Sequence, residues 1–297
     1  MTRVVLFSYG PMIGAVRSFF AAVGADLVAH VLPANRSPEA LDAARADGAG
    51  ILQLVQPPRP EAQAFADVLR ALEPDIFVVW HYSMLLPEAV LRVPPRGAVN
   101  LHGGLLPDYR GPHVLQWAIA NGERETGITL HYLDEGFDTG PVVAEARVPI
   151  DADADAAAVA VALQAAGLGL LREHWSALAA GTAAAHPQPA GGRYWPLRSA
   201  ADGVIDWRRP ADSICNLVRA LVPPWPGATT RAGVLELVID RVKAVEGSGE
   251  PGTVLEVGRG RIVVAAGGGA VAVLAARRDG ERVPFDQLGL RPGDRFG

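Results

Sequence analysis

Three side chains of this 297-residue chain have the types and setting for acyl and proton chemistry: Asn100, His102 and Asp138. Asn100 and His102 stand two apart at the end of the apolar run Ala98-Val-Asn-Leu101, which reads as a strand. Strand alternation puts residues i and i+2 on one face, so both polar groups point into the same crevice. A carboxamide there donates hydrogen bonds to a developing oxyanion, a contribution of ~10²–10³ in rate. An imidazole moves protons at a reacting amine, worth roughly 10²–10⁴. Neither is a strong nucleophile in this setting, so the pair fits a tetrahedral intermediate passed directly between two bound partners. Asp138 lies in the turn-rich stretch Leu133–Gly140, between strand candidates at 127–133 and 141–149. From there it can reach His102, fix its tautomer and stabilise its protonated form, or relay a proton through water. Each residue alone is an ordinary structural one; the combination carries the inference.

Such a trio needs a scaffold that ends several strands in one place. Strand-like runs at 4–8, 27–32, 51–55, 76–80 and 98–101 alternate with helix-like segments at 14–23, 38–47 and 61–72. This alternation predicts an α/β fold with a doubly wound, mostly parallel sheet and helices on both faces. Ligands in such folds sit at the carboxyl ends of the strands, where the strand order switches. Residues 154–181 are rich in Ala and Leu and read as a helix, with Gly167 and Gly169 as marks of tight packing. Residues 183–192 shift to Ala, Pro and Gly and read as an extended linker. Beyond it, a helix at 212–221 and short strands at 235–239, 252–257, 261–265 and 270–274 predict a small all-β barrel. A catalytic domain over 1–190 and a second domain over 191–297 are expected.

Composition narrows the classes. Net charge is −5, and residues 201–297 hold 13 Lys and Arg against 12 Asp and Glu. That is not the basic excess of a phosphate-backbone binder. Cys215 is the single cysteine, which excludes an intramolecular disulfide and fits a reducing compartment. Met1-Thr2-Arg3 leads directly into a strand-like run, too short for a secretory leader, and no stretch approaches a membrane span. A cytoplasmic protein without a membrane partner is expected. The turn Tyr9-Gly10-Pro11-Met12-Ile13-Gly14 sits where a dinucleotide fingerprint would sit but lacks its spacing. His102, His113, His131 and Asp138 match no ligand pattern for a metal, and none is expected.

The run Asn100-Leu-His102 with Leu105-Leu-Pro107-x-Tyr-Arg110-Gly111, then Gly122-Glu123, Thr126-Gly127 and Asp138-x-Gly140, resembles the folate-dependent formyltransferase family. Downstream, Asp202-Gly203-x-Ile205-Asp206-Trp207, Asn216-Leu-Val-Arg219-Ala220 and Pro226-Gly227-Ala228 resemble the opening of that family's C-terminal domain. The resemblance implies a Rossmann-like catalytic domain using 10-formyltetrahydrofolate as formyl donor, joined to an OB-like barrel. It implies Asn100 for the oxyanion, His102 as general acid and base, and Asp138 as the third member. It sets the pterin against Trp80, Met84, Leu85 and Leu86 and against the loop bearing Leu133, Asp134 and Gly136. Tyr9, Gly10, Arg110 and His113 fall on the acceptor side. A small-molecule amine, an amino-sugar nucleotide or an amino-acid-like metabolite, is the expected acceptor. The helix start Gly111–Ala118 and the missing basic excess favour it. Methionyl-tRNA would call for clustered Lys and Arg, and the chain has one lysine, Lys243. Hydrolysis to formate is the third reading, and a homo-oligomer stays open.

Overall fold

Val4–Phe7 and Ile76–Val78 are fully buried, and runs apolar on both faces must be covered on both sides. The computed structural model, which describes residues 1–10 and 12–297, meets that demand; Pro11 of the first turn lies outside the described residues. Strands β1 (Arg3–Phe7), β2 (Asp26–Pro33), β3 (Gln53–Gln56), β4 (Ile76–Trp80), β5 (Ala98–His102), β6 (Glu125–Tyr132) and β7 (Val142–Pro149) form one sheet in the order β3-β2-β1-β4-β5-β6-β7. Pairing is parallel from β3 through β5, and β6 turns back antiparallel on β5. The sheet is the mostly parallel one expected, and its order switches between β1 and β4.

The helices are α1 (Ile13–Ala22), α2 (Pro38–Asp47), α3 (Ala62–Arg70), α4 (Glu88–Leu91), α5 (Val114–Ala120), α6 (Ala156–Ala180) and α7 (Ala211–Ala220). On one face, Phe65, Ala66 and Leu69 of α3 and Val90 of α4 cluster with Val5, Phe7, Phe77 and Val79. On another cluster, Ile13 of α1 and Ala44 of α2 meet Leu32. Helix α2 begins where a sequence-level start signal stands: Ser37 accepts the Ala40 N–H, and Pro38 takes the first turn.

A second sheet is built from β8 (Ala228–Ala232), β9 (Leu235–Val245), β10 (Val254–Val257), β11 (Ile262–Ala265), β12 (Ala270–Arg278) and β13 (Glu281–Arg282). Its order is β10-β11-β12-β9-β8, antiparallel throughout, with β13 on β12. The chain divides into two units. One holds Met1–Pro112, Gly127–Val148 and Ala162–Trp195; the other holds His113–Thr126, Pro149–Val161 and Pro196–Gly297.

Helix α6 corrects one expectation. Its 25 residues are long and apolar enough to cross a membrane by length and composition. Its inner residues nevertheless pack in the protein: Leu163, Leu170, Leu171, Trp175 and Leu178 are buried, and Trp175 meets the rings of Phe19 and Phe20. Of the two glycines read as packing marks, Gly167 is one. A Cβ there would fall 2.5 Å from Cζ2 of Trp80 and 2.7 Å from Cδ1 of Ile128, whereas Gly169 has nothing within 4 Å. Trp80 is itself only 5 % exposed and has no room to yield. Gly167→Ala is therefore expected to destabilise the protein by about 1–3 kcal/mol through overpacking, despite the gain in helix propensity. Gly169→Ala should be neutral or stabilising, and thermal denaturation of the two variants checks both.

Candidate active site

The β5–β6 register sets Asn100 opposite His131 and His102 opposite Thr129. A second imidazole thus comes beside the carboxamide. Asn100 Nδ2 lies 3.1 Å from His131 Nε2, and His131 Nδ1 lies 2.8 Å from the Tyr132 carbonyl oxygen. A carbonyl only accepts, so His131 carries its proton on Nδ1, and Nε2 accepts the hydrogen bond that Asn100 donates. The ring is fully buried. Burial, then the neighbouring His102, lowers its pKa to about 4, so it is neutral at pH 7.

His102 donates from Nε2 to the Tyr109 carbonyl at 2.6 Å. By the same reasoning Nδ1 is the nitrogen that gains and loses a proton, and it faces Asp138 Oδ1 at 3.4 Å. Charge-assisted contacts of this kind close to about 2.7–2.9 Å, and catalytic hydrogen bonds often tighten only in the reacting complex. The same carboxylate oxygen stands 3.8 Å from His131 Nε2. Asn100, His102, His131 and Asp138 therefore form one polar group, with His102 8 % and Asp138 15 % exposed.

Asp138 is held in the left-handed region at φ 54. Its Oδ2 accepts the Gly111 N–H at 2.9 Å. Gly111 has φ 95, and a Cβ there would fall 2.4 Å from the Trp195 carbonyl oxygen, so this turn admits no side chain. At the other end of the loop, Asp134 Oδ1 accepts from the Gly136 N–H at 3.0 Å and from the Thr139 hydroxyl at 2.7 Å. Both residues brace the loop from within.

The structure sorts the remaining candidates. Leu86 and Leu133 belong to one apolar cluster with Phe77 and Val79, so the two segments expected against a pterin meet in the same core. Leu85 offers its carbonyl to Gln56 Nε2 at 2.8 Å, and the Met84 sulfur accepts the Ala34 N–H at 3.2 Å. Trp80, by contrast, is a core residue against Gly167. Tyr9 and Gly10 lie in another cluster: Arg36 donates to the Tyr9 hydroxyl at 2.6 Å, and both residues meet the His81 ring. Arg110, expected on the acceptor side, is engaged elsewhere. Its Nε and Nη2 donate to Gln188 Oε1 at 3.0 and 2.7 Å, and its Nη1 donates to the Gly191 carbonyl. His113 is the residue just before α5, where its ring accepts the Arg198 N–H and packs edge-on against Trp225. Sequence reading missed His131 as a partner of Asn100, although its place opposite Asn100 in an antiparallel pair was the available signal.

The depressed pKa of His131 has a sign. Between about 4 and 6.5 the unfolded chain binds a proton that the folded chain does not. The stability gained from a neutral His131 is complete above pH 6.5 and is lost as pH falls toward 4. His131→Gln, which cannot titrate, is expected to flatten the acid-side fall in stability by up to about 1.4 kcal/mol per pH unit. Denaturant unfolding across that interval reads it.

Two family descriptions match the chain: Formyl transferase over residues 25–173, and Formyl transferase, C-terminal domain, over residues 198–287. The methionyl-tRNA formyltransferase of Myxococcus xanthus is 40 % identical over 231 residues, covering 77 % of this chain and 74 % of its own length. That of Citrifermentans bemidjiense is 37 % identical over 256 residues, 84 % of this chain and 79 % of its own. Among solved structures, an N-formyltransferase from Helicobacter canadensis in complex with folinic acid and dTDP-3-aminofucose superposes with a TM-score of 0.67 at 15 % identity, over 92 % of this chain and 99 % of that one. HypX from Aquifex aeolicus in complex with tetrahydrofolic acid gives 0.65 at 20 % identity, over 96 % of this chain and 46 % of that one. At such identities the two structures speak for the fold. The relatives, together with the two matches in chain order, say more: this chain belongs to the formyl transferase family.

Proposed function

We propose that the chain transfers a formyl group from 10-formyltetrahydrofolate to the amine of methionyl-tRNA. One observation carries the acceptor: relatives 40 % and 37 % identical, along three quarters or more of this chain, bear that activity in their names. It replaces the small amine favoured by overall charge. Totals are a poor guide here, because RNA meets local clusters of cations. Exposed Arg241 and Lys243 stand two apart on β9, and exposed Arg278 and Arg282 lie on the adjoining β12 and β13, in support of an RNA acceptor.

Leu86 and Leu133 join the two segments in one apolar cluster, and the residues around them, Met84, Leu85, Asp134 and Gly136, would flank the pterin. The donor, when bound, supplies an electrophilic formyl carbon on nitrogen. Asn100 commits one amide N–H to His131 and keeps a second for the oxygen that becomes negative. His102 takes the amine's proton at Nδ1, the facing Asp138 stabilises the imidazolium, and His102 then gives that proton to the folate nitrogen as its bond to the formyl carbon breaks and tetrahydrofolate leaves. His131 stays neutral, so it does not compete for that carboxylate.

Asn100→Ala is expected to slow transfer by ~10²–10³ and His102→Ala by ~10²–10⁴, with folding retained. Single-turnover rates near those of the parent would overturn these roles. The acceptor is decided by incubating the protein and 10-formyltetrahydrofolate with charged initiator tRNA, amino-sugar nucleotides or water alone. Tetrahydrofolate should form fastest with the tRNA. Equal or faster release with an amino-sugar nucleotide, or with water, refutes the acceptor assigned here.

A further inference from the structure

Residues 184–194 form an exposed run with one half-buried member, Gln188. The backbone on either side is stitched down: His186 and Val142 exchange N–H···O bonds, and Arg193 and Trp195 donate N–H groups to the carbonyls of Pro107 and Arg110. Gln188 lies between these seams, and both ends of its amide are used. Its Oε1 accepts two N–H groups of Arg110. Its Nε2 donates to the carbonyls of Asp138 and Gly140, both at 2.8 Å. Those carbonyls lie on either side of Thr139, the residue after Asp138, which is itself held at φ 54 with its carboxylate toward His102.

We infer that Gln188, oriented by Arg110, is a positioning residue for the Asp138 carboxylate, and that the segment read as a linker is a working part of the site. Its side chain touches neither His102 nor Asn100 among the described hydrogen bonds, so it acts through the Asp138 backbone. A fixed amide grips two carbonyls at once, and those grips determine where residue 138 sits. Arg110 removes the amide's freedom to rotate, because only Oε1 can satisfy a guanidinium and only Nε2 can satisfy the carbonyls. This rests on the role proposed above for Asp138.

The test is Gln188→Met in the full chain, alone and combined with Asp138→Asn, assayed with 10-formyltetrahydrofolate and methionyl-tRNA. The expected outcome is a fall in kcat of about 10–10²-fold, the size that a misplacement near 1 Å brings, with KM for the folate within about twofold. In the Asp138→Asn background the same change should cost nothing further. A second readout needs no turnover. The Gly111 amide resonance, which reports its hydrogen bond to Asp138 Oδ2, should move in Gln188→Met, while that of Leu133, bonded to Ala98, stays. Unchanged kcat with an unmoved Gly111 resonance overturns the inference, as does a loss that multiplies with that of Asp138→Asn. If Asp138→Asn retains full kcat, the role of Asp138 fails instead, and the Gly111 shift still decides whether Gln188 places the carboxylate. Should Gln188→Met not fold, Gln188→Glu keeps the Arg110 contact and replaces the two donors with a carboxylate oxygen that repels both carbonyls. Full kcat in that variant is equally fatal.

Discussion

One register governs the centre of this protein: β6 runs antiparallel on β5 and sets His131 across from Asn100. Parallel pairing places each strand's carboxyl end at the same edge, which gathers loops there. The reversal at β6 does something else. It brings a residue from the following strand level with the strand-end pair, and β6 ends beside Ala98 at the amino end of β5, where the loop that carries Asp138 begins. A slip of one residue would send Asn100 and His102 to the other face.

Two imidazoles then share one carboxylate, and burial, followed by the neighbouring His102, keeps His131 neutral. Protonated His131 would present an N–H at Nε2 to the amide N–H groups of Asn100, after losing its contact with water. His102 presents Nδ1 to a carboxylate. The half-buried carboxylate of Asp138 accepts the Gly111 N–H, which offsets part of the cost of drawing it away from water.

Much of this was legible in the amino acids. Val4–Phe7 and Ile76–Trp80 are uniformly apolar, which marks central strands, and the helix-like run 38–47 matches α2. Asn100 and His102 could be placed together because alternation is a local rule. What escaped was non-local. Strand β8, Ala-Thr-Thr-Arg-Ala, has no apolar pattern and owes its place to pairing with β9. Gln188 looked like linker because its partners lie 48, 50 and 78 residues away. Arg110 and His113 looked available for ligand because their types are, while the fold had engaged both. Net charge, the ground for expecting a small-molecule amine, averages over a whole surface and is silent on local clusters of cations.

The covalent path through the two units has a consequence for dissection. Residues 113–126 and 149–161 belong with the C-terminal part, where α5 packs on α7, so the polypeptide leaves and re-enters each unit more than once. Severing the backbone near residue 190 would strand two segments on the wrong fragment and bare the apolar side of each. Neither half is a module that recombination could transplant by a single crossover. Whatever selection has tuned at one end of this polypeptide, it has had to tune with the other attached.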